Sequence, residues 1–263
     1  MKILKIGVPL VISALLIAFG GLMLRSHLRY EGIETDLSSW GSFFNVFGVI
    51  FAIVAGFLLV TVLNRYSNLN QTIEDELNAV ESVRDFLVYL DDHQQIEIDK
   101  IKHSLAIYVK SVADTEWAEM SAPRIPMNSD TSEELYAVMR SGKKIKVSEE
   151  RDSIVLSALI ETISEITKLR TRRIALANER LPPRLRALML FMSTTLVGAF
   201  VFLGVQGIFA HIYMLVTLTV SIHLLYMVIE DLDHPFYGVW NISRGPLDEL
   251  IKRFEQDGPN PNA

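Results

Sequence analysis

The stretch SFFNVFGVIFAIVAGFLLVTVL, residues 42–63, decides the fold of this 263-residue chain. It contains no charged side chain, and about 20 apolar residues are enough for a helix to cross the hydrocarbon core of a bilayer. Three further segments have the same character, at residues 6–24, 187–203 and 208–229. The sequence therefore predicts an all-α integral membrane protein with four transmembrane helices, and it excludes an ordinary soluble enzyme.

The first of these segments has an alternative interpretation. It follows Lys2 and Lys5 and has an apolar centre, as a signal peptide does. However, no clean small-x-small cleavage site follows, and the apolar run is long for a signal peptide. A retained helix is the preferred interpretation.

Charge divides the chain into a membrane part and a soluble part. Between residues 66 and 183, 15 Lys and Arg stand against 21 Asp and Glu, so this insert accounts for the whole net charge of −6. The expected divisions are residues 1–64 and 185–230 for the two helix pairs, 65–184 for the insert and 231–263 for a C-terminal segment. No large basic field is present, and we expect no nucleic-acid partner.

Positive charge near the helix ends predicts the orientation. Eleven Lys and Arg collect on the side of the termini and the insert, whereas the other side has only Arg25 and Arg29. Both termini and the insert are therefore expected in the cytoplasm.

The insert is expected to form long cytoplasmic helices. Apolar residues recur at steps of three and four from Leu69 to Leu90, without Pro or Gly after the second segment, so that helix should continue straight out of the membrane. Further helices are expected from about residue 94 to 119 and from about 148 to 180. The charged runs 74–76, 91–92, 143–146 and 170–173 are interpreted as solvated faces or inter-subunit pairs.

Signatures of catalysis and metal binding are missing. The chain has no Cys, its six His have no metal-ligand spacing, and it lacks a phosphate-binding loop or a nucleophile elbow. We expect no enzyme activity, cofactor or metal. Asn45 and His223 are polar positions inside the membrane segments, where such groups either line a water path or hydrogen-bond to a neighbouring helix.

The second segment also contains a candidate pore neck. Val49, Ile53 and Phe57 stand at i, i+4 and i+8 and present three turns of bulky apolar surface. Copies of this helix around an axis would form a hydrophobic constriction of the kind that gates by dewetting. Ordinary lipid-facing or packing surface is the alternative.

Two motifs resemble a known family. Residues 55–69, AGFLLVTVLNRYSNL, place Arg65 and Asn68 after Gly56, and residues 230–247 read EDLDHPFYGVWNISRGPL, with Asp231, Asp233, Pro235 and Phe236. Both resemble the bacterial bestrophin-like family of four-pass membrane proteins and, more distantly, the bestrophin channels.

The resemblance implies a pentameric ion channel of the bacterial inner membrane, whose neck falls on Val49, Ile53 and Phe57. Bestrophins with a calcium clasp carry acidic residues after the Pro-Phe-Gly motif, whereas residues 239–245 here contain none. Asp231, Asp233 and Pro235 are instead expected to cap the fourth helix and dock it on the cytoplasmic helices.

The predicted function is thus a bestrophin-like homo-oligomeric channel for inorganic ions in the lipid bilayer, with its selectivity left open. The alternative is a non-conducting membrane sensor or scaffold, whose cytoplasmic helical domain binds a partner.

Overall fold

The computed structural model describes residues 16, 19–21, 23, 37–90, 94–121, 133–203 and 207–256, which are helical with short connections and contain no strand. The all-α fold predicted from the sequence is confirmed. Most of the first predicted membrane segment, residues 6–24, and most of the turn at 204–207 lie outside the described residues.

The longest element is helix α1, Leu37–Phe86, which has 50 residues. At about 1.5 Å per residue it is roughly 75 Å long. It contains the second predicted membrane segment and continues for 23 residues beyond Leu63 before a 3₁₀ turn, Leu87–Tyr89. The expected continuation out of the membrane segment is confirmed, because no Pro or Gly interrupts the backbone hydrogen bonds there.

The remaining helices follow in chain order with short connections. They are α2 (Gln95–Ser111), a π turn (Val112–Glu116), α3 (Trp117–Met120), α4 (Glu133–Gly142), α5 (Glu150–Asn178), α6 (Pro183–Phe202), α7 (Ile208–Asp233) and α8 (Gly245–Gln256).

Two helix starts show why the boundaries fall where they do. The Asp152 carboxylate accepts the backbone N–H groups of Ser148 and Glu149 at 2.9 and 3.1 Å, which completes a capping box for α5. Helix α6 begins at Pro183, four residues before the predicted boundary, since proline is well suited to the first helical turn.

Three stretches of described helix are long and apolar enough to cross a membrane, within Ser38–Tyr89, Glu150–Phe202 and Ile208–Asp233. They contain the second, third and fourth predicted segments.

The chain divides into two compact units. The membrane unit comprises Met1–Asn64, Arg180–His234 and Gly238–Trp240, and the insert unit comprises Arg65–Glu179, Pro235–Tyr237 and Asn241–Ala263. The large core of the insert unit joins apolar residues of α1, α2, α4 and α5 with Leu247, Leu250 and Phe254 of α8. The C-terminal helix is therefore part of the insert unit.

Candidate functional site

One face of the membrane part of α1 is exposed. Val49, Ile53 and Phe57 are 53, 66 and 66 % exposed, whereas Leu58 and Val62 on the other side of the helix are 1 and 0 % exposed. Successive residues four apart in a helix lie one turn above another, so the three side chains form a continuous apolar row. Within the described residues the row is uncovered, and the candidate surfaces that it faces are lipid, a second copy of the chain or the lumen of a pore.

The polar candidates in the membrane segments are also exposed. Asn45 lies one turn before Val49 on α1, and His223 lies in the middle of α7. Asn45 is thus at the end of the apolar row of α1. An amide side chain is costly to leave in hydrocarbon without a hydrogen-bond partner, which favours a position against protein or water over one in lipid.

The three motif residues of α1, Gly56, Arg65 and Asn68, make different local contacts. Gly56 is exposed, and a Cβ added to it would meet no atom within 4 Å. Arg65 forms an ion pair with Glu179 at 3.1 Å, within the insert unit. The backbone carbonyl of Asn68 accepts the Thr72 hydroxyl at 2.7 Å, and the Asn68 side chain is exposed.

Two carboxylates, those of Asp233 and Asp231, hold the motif at the end of α7 in place. The Asp233 carboxylate accepts the backbone N–H of Leu181 at 2.8 Å and pairs with Arg186, which also contacts Glu230 at 3.2 Å. These contacts tie the last turn of α7 to the start of α6. The docking of this end on the cytoplasmic helices stays a prediction.

Asp231 closes the turn that follows α7. Its carboxylate accepts the backbone N–H groups of Val239, at 2.9 Å, and Trp240, at 2.7 Å. The turn requires Gly238, which has a φ of +116° and whose added Cβ would lie 1.8 Å from the Asp231 carboxylate. The remaining motif residues, Pro235 and Phe236, are buried, and Phe236 packs edge-on against Trp117 with 5.1 Å between ring centroids.

A buried ionic cluster lies inside the insert unit, at positions that the sequence suggested were solvated. Arg173 of α5, 1 % exposed, binds both oxygens of Glu76 at 2.7 and 3.1 Å and Glu116 at 2.6 Å. Arg170 donates to Glu116 at 2.8 Å, and the Tyr108 hydroxyl donates to Glu76 at 2.6 Å. Two guanidinium groups thus balance two carboxylates.

The interpretation of runs 74–76 and 170–173 as solvated faces is wrong for Glu76, Arg170 and Arg173, which are buried. The reason is helical geometry, because Glu76 lies three residues after Ile73 and four before Val80, both in the core. This spacing within an apolar stripe was the signal in the sequence. The run at 143–146 does expose its three lysines, whereas the run at 91–92 lies outside the described residues.

The short distances between charged groups shift pKa values in this cluster. Burial alone would raise the pKa of Glu116, but the neighbouring guanidinium groups of Arg173 and Arg170 lower it overall. Burial alone would lower the pKa of Arg173, but the carboxylate of Glu76 raises it instead. Burial and the Glu76 charge both raise the pKa of Tyr108. These directions keep Glu116 and Arg173 charged and Tyr108 neutral around neutral pH.

Metal ligands are not gathered anywhere in the described part of the chain: no group of three or more His, Asp or Glu there could hold an ion. The candidate site is therefore the exposed apolar row of α1, and the ends of α6 and α7 belong to the same compact unit.

Comparison with known proteins identifies the fold. Two mutants of a bacterial bestrophin homologue from Klebsiella pneumoniae superpose with TM-scores of 0.72 and 0.71, each at 14 % sequence identity. The first match covers 98 % of this chain and 97 % of that chain, and the second covers 95 % and 98 %. No curated protein sequence matches significantly. A profile of the Bestrophin-like domain matches residues 12–247, and the chain therefore belongs to the bestrophin-like family of membrane proteins.

Proposed function

We propose that this protein is an ion channel of the bacterial inner membrane, formed by several copies of the chain, five by resemblance to bestrophins. Both termini and the insert lie on the cytoplasmic side. The membrane-spanning part of α1 lines the pore in each copy, and Val49, Ile53 and Phe57 form its neck.

The observation that carries the proposal is the exposed row on α1. Three bulky apolar side chains occupy successive turns, and Asn45 extends the row by one further turn, while Ala55, Leu58 and Val62 on another side of the helix are buried. An amide that faces hydrocarbon lacks hydrogen-bond partners, whereas water at the mouth of a pore supplies them. Membership of the bestrophin-like family supports the same assignment.

An apolar neck explains how such a pore could be gated. Aliphatic and aromatic side chains offer no oxygen atoms to replace the hydration shell of an ion, so a narrow neck is dry and non-conducting. Conduction requires the neck to widen until water fills it. Shortening the neck side chains should therefore increase the open fraction.

The test is ion flux in liposomes containing the purified full-length chain. Ile53→Ala and Phe57→Ala should each increase flux over the unchanged protein. Phe191→Ala on α6 is the matched control, because Phe191 is 63 % exposed, about as exposed as Phe57, but lies on a different membrane helix. Flux that is unchanged by both α1 substitutions, or raised equally by Phe191→Ala, would contradict the proposed neck.

Separate salt gradients would identify the permeant ion. An oligomer that shows no flux with either the unchanged chain or the α1 variants would instead support the non-conducting scaffold.

A further inference from the structure

The turn after α7 presents an aromatic surface that the proposed pore does not use. Trp240 is 52 % exposed and Val239 is 44 % exposed. Residues 237–243 carry no charged side chain. Large apolar side chains exposed together usually mark a surface that contacts something else.

The structure fixes this turn beside the last turns of α7. The two hydrogen bonds from Val239 and Trp240 to the Asp231 carboxylate hold the backbone of Trp240 at the level of Asp231. Gly238 permits the reversal through its positive φ. Both Trp240 and Val239 belong to the membrane unit.

Helix length indicates the depth of that level. Asp231 lies 23 residues after Ile208, the first residue of α7. At 1.5 Å per residue this is roughly 35 Å along the helix axis. The hydrocarbon core is about 30 Å thick, and the headgroup layers extend the bilayer to about 40–45 Å. When the apolar residues 208–229 fill the core, Asp231 and Trp240 therefore lie among the lipid headgroups.

We propose that residues 238–240 form an interfacial membrane anchor, in which Trp240, beside Val239, inserts at the headgroup level of the bilayer and fixes the depth of the end of α7. Trp and Tyr are enriched at this level because their rings are apolar and their N–H or O–H groups remain hydrated. The surface is continuous with a membrane-spanning helix and is uncharged, which is why lipid is the occupant. The anchor does not depend on ion conduction.

Fluorescence quenching tests the anchor. In the Trp40→Phe, Trp117→Phe double variant of the full chain, Trp240 is the only tryptophan. The protein is reconstituted into phosphatidylcholine and phosphatidylglycerol vesicles, with and without brominated phosphatidylcholine. We expect brominated lipid to remove most of the Trp240 emission, more strongly when the bromines lie near the ester end of the acyl chain than when they lie deep.

Two controls keep the result interpretable. A variant that retains only Trp117, which packs against Phe236 in the insert unit, should lose no emission to brominated lipid. If the double variant fails to fold, the difference between the unchanged protein and Trp240→Phe gives the same information.

Two outcomes would overturn the proposal. Quenching of Trp240 by aqueous iodide, without quenching by brominated lipid, would place the turn in solvent. Protection from both quenchers would show that protein, rather than lipid or water, covers the turn.

Discussion

Replacement of Arg173 by alanine tests how the insert unit is held together. Arg173 is 1 % exposed and is the group shared by Glu76 and Glu116 in the buried cluster. Its removal leaves the Glu76 carboxylate, which is also buried, with the Tyr108 hydroxyl and no positive partner. A carboxylate in that position has lost both its bulk hydration and its counter-charge.

The size of the effect follows from the contacts. Arg173 makes three hydrogen bonds to carboxylate oxygens, at 2.7, 3.1 and 2.6 Å. Each such hydrogen bond contributes about 1.5–3 kcal/mol. Their sum is an upper limit on the cost of the substitution, because one guanidinium makes all three bonds and Glu116 keeps its bond to Arg170. Breaking a buried ion pair typically costs about 3–5 kcal/mol, and we expect Arg173→Ala to lower the free energy of unfolding by that amount.

The measurement is urea unfolding of the full chain in detergent, monitored by near-ultraviolet circular dichroism. Trp117, the residue next to Glu116 in the sequence, contributes to this signal. The matched control is Arg140→Ala, which removes an exposed pair with Glu133 and should cost at most about 1 kcal/mol. The double variant Arg173→Leu, Glu76→Leu should recover part of the loss, because it leaves no unpaired carboxylate at position 76. Equal losses for Arg173→Ala and Arg140→Ala would refute the reasoning.

Three further predictions follow from other parts of the structure. Burial raises the pKa of Glu116, but its two arginine partners lower this pKa overall. The resulting stabilisation should be present above about pH 4.3, the usual glutamate pKa, and be lost as the pH falls further. Glu116→Gln should flatten this part of a plot of the free energy of unfolding against pH. Gly238→Ala should lower stability in thermal melts by about 1–3 kcal/mol, because alanine is strained at positive φ and its Cβ would overlap Asp231, whereas Gly198→Ala, in open space, should change it little. Leu105→Ala should cost about 2–5 kcal/mol in urea unfolding through a cavity in the insert core, and a loss below 1 kcal/mol would show that this core is not close-packed.

Much of the fold was predictable from periodicity. The uncharged stretch at residues 42–63 and the apolar steps from Leu69 onward indicated one helix running past the membrane segment, and α1 has that form. Long elements of this kind are predictable because each extra turn repeats the same pattern. The sequence predicts a later start for α6 because Arg184 and Arg186 precede its apolar part, whereas charge at a helix end does not stop a helix.

The candidate site was predictable only in part. Val49, Ile53 and Phe57 are exposed on one helix, but their place at a pore neck depends on neighbouring copies of the chain and stays a prediction. Arg173 and Glu76 stand in charged runs, which predict solvated faces or inter-subunit pairs. Only the packing of α1 against α5 brings these two residues, 97 positions apart, together. The bond from Asp231 to Trp240 depends on the φ of Gly238, which composition does not encode.

The central claim is that α1 surrounds an ion pathway. Electron cryo-microscopy of the full chain in detergent or nanodiscs tests it most directly. We predict a ring of subunits in which one α1 from each copy borders a central axis, with the side chains of Val49, Ile53 and Phe57 at its narrowest part. A monomer or closed dimer, or a ring in which these three side chains face lipid, would contradict the account.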